Sequence, residues 1–594
     1  MNNYYFSKKN LEQDETSYDG YLLKELSKLK NSSIEAVDDF DLSEFKKYLH
    51  VDRSIQGEFY DAVTRAAKCP SSHLVMICAS SGDGKNHLIA NLKKDNFDLF
   101  KQFIIIPDAS ESYDYDKNEI ETLASKLEYF KDENIHTSTE KVILGINLGV
   151  LNKFLVSSYA KEEYKELKSK IEKYNIFESD NVSENILEDK FTLITFSDYN
   201  IFELNDDEDS NFTSSKYISD LLNKITQNDV SNPFYKAYDK DRKRGYIHPV
   251  IYNYEMLMQE EVQKTIIDYL IKIFIKYKKI IPTRELLNFI HDILVPPESL
   301  KREDLNINDY MNYLLPNLLF GSQRSDLLKL LNELDPTLYR SESIDKFIID
   351  LNIKDNTEKI LDTYFDVSRF NLLKEYGEYL KNFKQLENSE KEKATNTLIR
   401  FAVFYGKSNI KDTFKDEVYL KYLRYLYAYN RKSVKGYWDL FNEIREAIFN
   451  WKGSNDYKTI CIGVLDSFGL YKNLNFEIVP DTSQKQLLDD SDNRFKTSIK
   501  VNFSLGPNEK PIPLNVDFSL YEYIIKLYNG FKPNQSDREN LIVLDELINN
   551  LLSKDQNCEL NVVSLDRNKR LDGDKRFLLK YKYGVFEFRE ESQQ

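Results

Sequence analysis

Short, continuous apolar runs separated by amphipathic stretches dominate the first third of this chain. The runs are His73-Leu74-Val75-Met76-Ile77-Cys78, Phe103-Ile104-Ile105-Ile106, Lys141 through Gly149, and Phe191 through Asp198. Each is short and bounded by turn residues, so each reads as a strand buried on both faces. Between them the period changes: residues 117 to 131 carry Ile120, Leu123, Leu127 and Phe130 at helical spacing, and a charged helical stretch runs from the third strand to about residue 190. Strands alternating with helices predict a mostly parallel sheet covered on both faces. Upstream, residues 1 to about 18 are polar, and Tyr21–Leu29, Asp41–His50 and Glu58–Ala67 read as short amphipathic helices.

Beyond residue 230 the pattern is helical. Glu260 to Lys279 is one long amphipathic helix, and Pro282-Thr283-Arg284 opens another that Pro296-Pro297 ends. Helical texture continues to about residue 450, with turn signals near Pro316, Pro336 and Gly406. From about residue 456, short β-rich runs take over at Thr459–Leu465, Phe476–Val479 and Ile499–Ser504. Helical stretches at Leu520–Leu527 and Leu541–Leu552 interrupt them, and Leu578 to Phe588 reads as a closing strand. The expected division is an N-terminal helical segment at 1–69, an α/β nucleotide-binding core at 70–230, a helical lid at 231–300, a helical domain at 301–455 and a mixed α/β domain at 456–594.

The chemistry concentrates just after the first strand, in Ser80-Ser81-Gly82-Asp83-Gly84-Lys85-Asn86-His87, followed by the start of a helix. Strand, glycine turn, lysine and helix form the layout of a phosphate-binding P-loop. Small residues let backbone N–H groups converge on phosphate oxygens, the helix N-terminus adds partial positive charge, and Lys85 adds a full one. The usual pattern is G-x-x-x-x-G-K-[ST]. Here Ala79 stands in place of the first Gly and Asn86 in place of the hydroxyl residue that ligates Mg²⁺. Residues 80 to 87 are therefore candidates for ATP or ADP binding, with Asn86 as the Mg²⁺ ligand, and binding is expected ahead of fast hydrolysis. A Gly-Asp-Gly turn that holds no ligand is the competing reading.

Hydrolysis also needs an acid at a strand end. No apolar run ends in Asp-Glu; Asp108 follows the second strand and Asn147 ends the third. These two are the catalytic candidates. Asn147 resembles the polar sensor residue of AAA+ ATPases, although a turn residue before Gly149 would look the same; Asp108 reads better as a helix cap or turn residue than as a metal ligand. Arg284 resembles the second sensor arginine of an AAA+ lid, or else a solvated first-turn charge. The basic runs Lys93-Lys94 and Lys240 to Arg244 fit solvated surface better than a phosphate site. Pro480-Asp481 with Lys485 lacks the acidic-x-Lys step of a PD-(D/E)-x-K nuclease.

Composition narrows the classes. A net charge of −16 excludes a general nucleic-acid binder acting alone. Four scattered cysteines and six histidines have no metal-ligand spacing, and the cysteines fit a reducing compartment. With no signal-like N-terminus and no long apolar run, the expectation is a cytoplasmic protein without membrane contact.

Taken in order, several stretches resemble the DptF family, the F component of DNA phosphorothioation-dependent restriction systems. They are Phe45-Lys46-Lys47-Tyr48-Leu49-His50, the loop Ser81 to His87, Val142 to Gly149 with Leu151, Asn152 and Phe154, Phe196 to Leu204, Asn232 to Tyr238, and Thr283-Arg284 through Pro296. The likeness covers roughly residues 20 to 340 and is carried by the order of the stretches. It implies a P-loop NTPase core of AAA+/STAND type in a bacterial anti-phage defence complex. Such a subunit works with G-like and H-like subunits on double-stranded DNA that lacks the sulfur mark, and homo-oligomers are possible. The family carries Ser at the position of Asn86 and Gly at that of Ala79, so the resemblance leaves it open whether this chain is an ATPase, with weak or partner-dependent hydrolysis the expectation if it is. Two other classes stay open: a nucleotide switch that senses something other than DNA, and a non-catalytic scaffold.

Overall fold

Five strands form the first sheet: β1 (His73–Cys78), β2 (Ile104–Ile106), β3 (Lys141–Ile146), β4 (Ile186–Leu187) and β5 (Phe191–Thr195). In the computed structural model their order is β2-β3-β1-β5-β4. The first four strands of that order run parallel, and β4 closes the edge antiparallel to β5. The fold is mixed α/β around this parallel sheet. The structure describes residues 20–34, 44–80, 82–109, 119–173, 186–187, 190–206, 212–297, 307–453, 458–465, 468–481, 493–506, 509–534, 537–554, 559–565, 571–582 and 585–590.

Every residue of β1 is buried, as a central strand covered on both faces requires. Strand alternation sorts its side chains into two cores. Leu74, Met76 and Cys78 join Val142, Leu144 and Ile146 on one face, under helices that contribute Leu123, Leu151, Phe154 and Leu167. Val75, Ile77 and Ala79 join Ile143 and Ile194 on the other, under Phe59, Val63, Leu88 and Ile89. The helix Ser54–Lys68 and the helix Lys85–Asp95 supply this second cover.

Strand ends follow local chemistry. β3 stops at Ile146, short of the expected Gly149, because the Asn147 carboxamide accepts the Gly149 N–H at 2.7 Å and starts the helix Leu148–Val156. β5 stops at Thr195, and Phe196–Asp198 makes a 3₁₀ turn instead of continuing the strand. Helices then dominate from Lys216–Thr226 through Trp438–Trp451.

The chain forms two compact units. The first comprises Met1–Glu203, Ser214–Phe274 and Lys278–Lys415; the second comprises Leu204–Thr213, Ile275–Tyr277 and Asp416–Gln594. Two-residue strands, β6 (Glu203–Leu204) and β7 (Thr213–Ser214), mark where the chain leaves and re-enters the first unit. In the second unit, β8 (Thr459–Leu465), β9 (Phe468–Asn473), β10 (Glu477–Pro480), β11 (Ile499–Ser504), β12 (Ile512–Val516), β13 (Glu559–Leu565), β14 (Leu571–Lys582) and β15 (Val585–Glu590) build two antiparallel sheets. Their orders are β10-β11-β12 and β15-β14-β13-β9-β8. The expected single closing strand at 578–588 is instead a pair, β14 and β15.

Candidate functional site

The loop after β1 turns on two glycines. Gly82 (φ 93°) and Gly84 (φ 96°) both lie in the left-handed region, which side chains with a Cβ rarely enter. Gly84 is the N-cap of the helix Lys85–Asp95, and no side chain caps it. That helix end therefore faces a cavity of about 320 Å³ with N–H groups available to an anion. Ser80, Gly82, Asp83, Gly84, Lys85, Asn86, His87, Asp108 and Arg284 all line the cavity. Ser81 lies outside the described residues.

Lys85 is 8% exposed, and its Nζ donates to Asp108 Oδ2 at 2.8 Å. Gly145 makes this pair possible. A Cβ at that position would come within 2.2 Å of the Pro107 carbonyl oxygen, and the Ala109 N–H donates to Gly145 O at 2.9 Å. The chain leaving β2 can thus cross tightly over β3 and bring Asp108 to the loop. Asn86 Oδ1 is buried and has no hydrogen-bond partner among the described residues. A buried carbonyl oxygen without a hydrogen-bond partner is the kind of ligand a hard cation takes. Among the described residues no group of three or more His, Cys, Asp or Glu side chains could hold a metal by itself. Any Mg²⁺ here would need phosphate oxygens to complete its shell, as this ion ordinarily does.

Asp83 folds back over the loop, its Oδ2 accepting the Ser80 N–H at 2.7 Å, and burial pushes its pKa up. Arg284 opens the helix Thr283–Leu294 directly against the loop. Its N–H points to Gly82 O at 3.4 Å, and a Cβ built on Gly82 would lie 3.3 Å from Arg284 Cβ. No ion-pair partner for the Arg284 side chain occurs among the described residues. Asn147 does not line the cavity; its carboxamide is engaged in capping its own helix.

Several wall residues are not among the site candidates legible in the sequence. His50 Nδ1 lies 2.8 Å from His87 Nε2, while His50 Nε2 lies 3.2 Å from Asp52 Oδ1 and 3.1 Å from the Asn91 amide nitrogen. Burial first, then His50, lowers the His87 pKa to about 4. Arg53, Phe196, Tyr217 and Thr283 complete the wall. The available signal is the cluster of His50, Asp52 and Arg53 immediately before a helix. In the run Lys240 to Arg244, Arg242 pairs with Glu255, Lys243 with Asp239, and Arg244 with the buried Asp241 that also accepts the Tyr21 and Leu22 N–H groups.

No family model, curated protein or solved structure matches this chain. No helix among the described residues is long and apolar enough to cross a membrane.

Proposed function

We propose that the chain is a nucleotide-binding subunit of P-loop type, with ATP or ADP seated in the cavity above β1. The observation that carries this reading is the convergence of an uncapped helix N-terminus, Lys85 and Arg284 on one cavity. Three sources of positive charge around about 320 Å³ suit a polyphosphate, and the volume lies in the range of small-ligand sites. Lys85 transfers its contact from Asp108 to phosphate on binding. Asn86, through Oδ1, and Asp108 are the residues that would hold Mg²⁺, which would supply charge neutralisation on the phosphates. Asn86 brings no hydroxyl, and Asn147 is turned to its helix cap, so the site is suited to binding more than to rapid turnover.

The cellular role we propose rests on the resemblance to the DptF family. The chain acts in a bacterial anti-phage restriction complex with G-like and H-like subunits, on DNA lacking the phosphorothioate mark. The contact of Pro282 and Arg284 with Gly82 favours a switch-like contribution, in which the nucleotide state sets the position of the helix Thr283–Leu294. Calorimetry tests the nucleotide reading. The parent is expected to bind ATP or ADP with a micromolar to low-millimolar dissociation constant, and Lys85→Ala to weaken it by at least ~1.5 kcal/mol, the scale of a lost charge-assisted contact. Equal affinity of the two proteins ends the proposal.

A further inference from the structure

Arg53 is the extended residue just before the helix Ser54–Lys68. Its guanidinium carbon lies 5.0 Å from the Phe196 ring centroid and 5.0 Å from that of Tyr217. Nη1 donates to the Asp83 carbonyl oxygen at 3.2 Å. The guanidinium is thus flanked by two aromatic rings while one edge grips the backbone between the two left-handed glycines. Tyr217 carries the contact onward, because its hydroxyl lies 2.8 Å from Thr283 Oγ1, next to Arg284. On its other side the loop touches the same helix start: a Cβ at Gly82 would meet Arg284 and Pro282, and one at Gly84 would lie 4.0 Å from Thr283 Oγ1.

We infer that Arg53 is a positioning residue that fixes the loop in its anion-binding shape and ties it, through Tyr217 and Thr283, to the helix that carries Arg284. The inference rests on the nucleotide reading above and adds to it how the two sides of the site are coupled. Gly82 and Gly84 enter positive φ without strain but have the widest conformational freedom of any residue, so the loop needs outside contacts to stay in one conformation. Arginine suits this task for a definite reason. Its planar, always charged head stacks on aromatic faces and still donates in its own plane, whereas an ammonium cannot do both. Arg53 does not itself have to touch phosphate; it holds the carbonyl of Asp83 so that the N–H groups of Gly84 and Lys85 keep their direction.

The test uses the full chain, with ATP as the probe, and three variants: Arg53→Ala, Arg53→Lys and Lys85→Ala. Arg53→Ala is expected to weaken ATP binding at least tenfold, Arg53→Lys to recover less than a third of that loss, and millimolar guanidinium to restore affinity to Arg53→Ala but not to Lys85→Ala. Hydrogen exchange without nucleotide is expected to speed up in residues 82–92 and in the start of the helix Thr283–Leu294 in Arg53→Ala. Parent-like affinity in Arg53→Ala overturns the inference while leaving the nucleotide reading intact. Weakened binding that guanidinium does not restore, with a lowered melting temperature, assigns Arg53 a purely structural role and also overturns it. If the parent itself binds no ATP, the nucleotide reading fails separately, and unchanged exchange in Arg53→Ala then removes the positioning role as well.

Discussion

Lys85 sits in a site where its charge is already answered, which sets what a ligand must do first. The lysine and Asp108 are both mostly shielded, with 9% and 19% of their side chains exposed, so their pair is worth more than a surface ion pair. On the nucleotide reading proposed above, a phosphate has to take Lys85 from Asp108. Asp108→Asn is therefore expected to bind ADP more tightly in metal-free buffer, by about 1–2 kcal/mol, while the free protein loses about 1 kcal/mol of stability. Calorimetry and chemical denaturation check the two halves, and weaker ADP binding without metal would contradict this account of the pair. His87 makes a second prediction. Its pKa falls from 6.5 to about 4 on folding, so between those values the unfolded chain takes up a proton that the folded chain refuses. The sign is then fixed: the His87 contribution is complete above pH 6.5, is lost as pH falls towards 4, and changes no further below it, with a slope of up to about 1.4 kcal/mol per pH unit. His87→Asn should flatten this part of a denaturation-versus-pH curve; an identical slope in the variant removes His87 as its source.

At the scale of elements, the features legible in the sequence were those that local pattern determines. The run His73–Cys78 is apolar throughout and becomes the fully buried β1, and the glycine–lysine step after it becomes the loop and helix start. What was not legible depends on contacts made from afar. Asn147 reads from the sequence as a sensor or as a turn residue, and only the folded backbone brings its carboxamide to Gly149 as a helix cap. Arg53 looks like any charge before a helix until Phe196 and Tyr217, distant in sequence, close around it. Gly145 looks like an interruption in an apolar run, yet it is the point where the β2 exit crosses β3. Gly145→Ala is expected to destabilise the chain by about 1–3 kcal/mol, the usual effect of forcing atoms into a close-packed crossing. Because the shift falls on Pro107 and Asp108, it should also separate Asp108 from Lys85, so the added effect of Asp108→Asn on ADP affinity should vanish in the double variant. Full additivity of the two changes would mean that Gly145 does not position Asp108.

At the scale of the whole molecule, periodicity loses its power because membership of a compact unit is a matter of packing, not of neighbouring sequence. Residues 275–277 continue a helix that begins at Glu260, yet they belong with the second unit, where Lys276 Nζ meets Glu522 at 2.8 Å and the Lys276 carbonyl accepts from Ser519 Oγ. Net charge, by contrast, is a whole-molecule property that the sequence states outright, and it bears on the proposed role in restriction. With 82 basic and 98 acidic side chains the chain carries −16, so its long-range field repels a DNA backbone. DNA affinity grows with the number of phosphates neutralised and counterions released, and the run most suggestive of such contacts, Lys240 to Arg244, spends Arg242, Lys243 and Arg244 on Glu255, Asp239 and Asp241. The isolated chain is therefore expected to bind a duplex more weakly than about 10⁻⁵ M at physiological salt, towards the weak side of ordinary non-specific binding, with or without phosphorothioate marks. Fluorescence anisotropy over a salt series measures both the affinity and the slope. A restriction subunit that works through partners predicts a shallow slope for the chain alone, and a steep one only when G-like and H-like subunits are added. Sub-micromolar binding by the isolated chain, with discrimination between marked and unmarked duplexes, would instead make it the DNA reader and reverse the division of labour proposed for the complex.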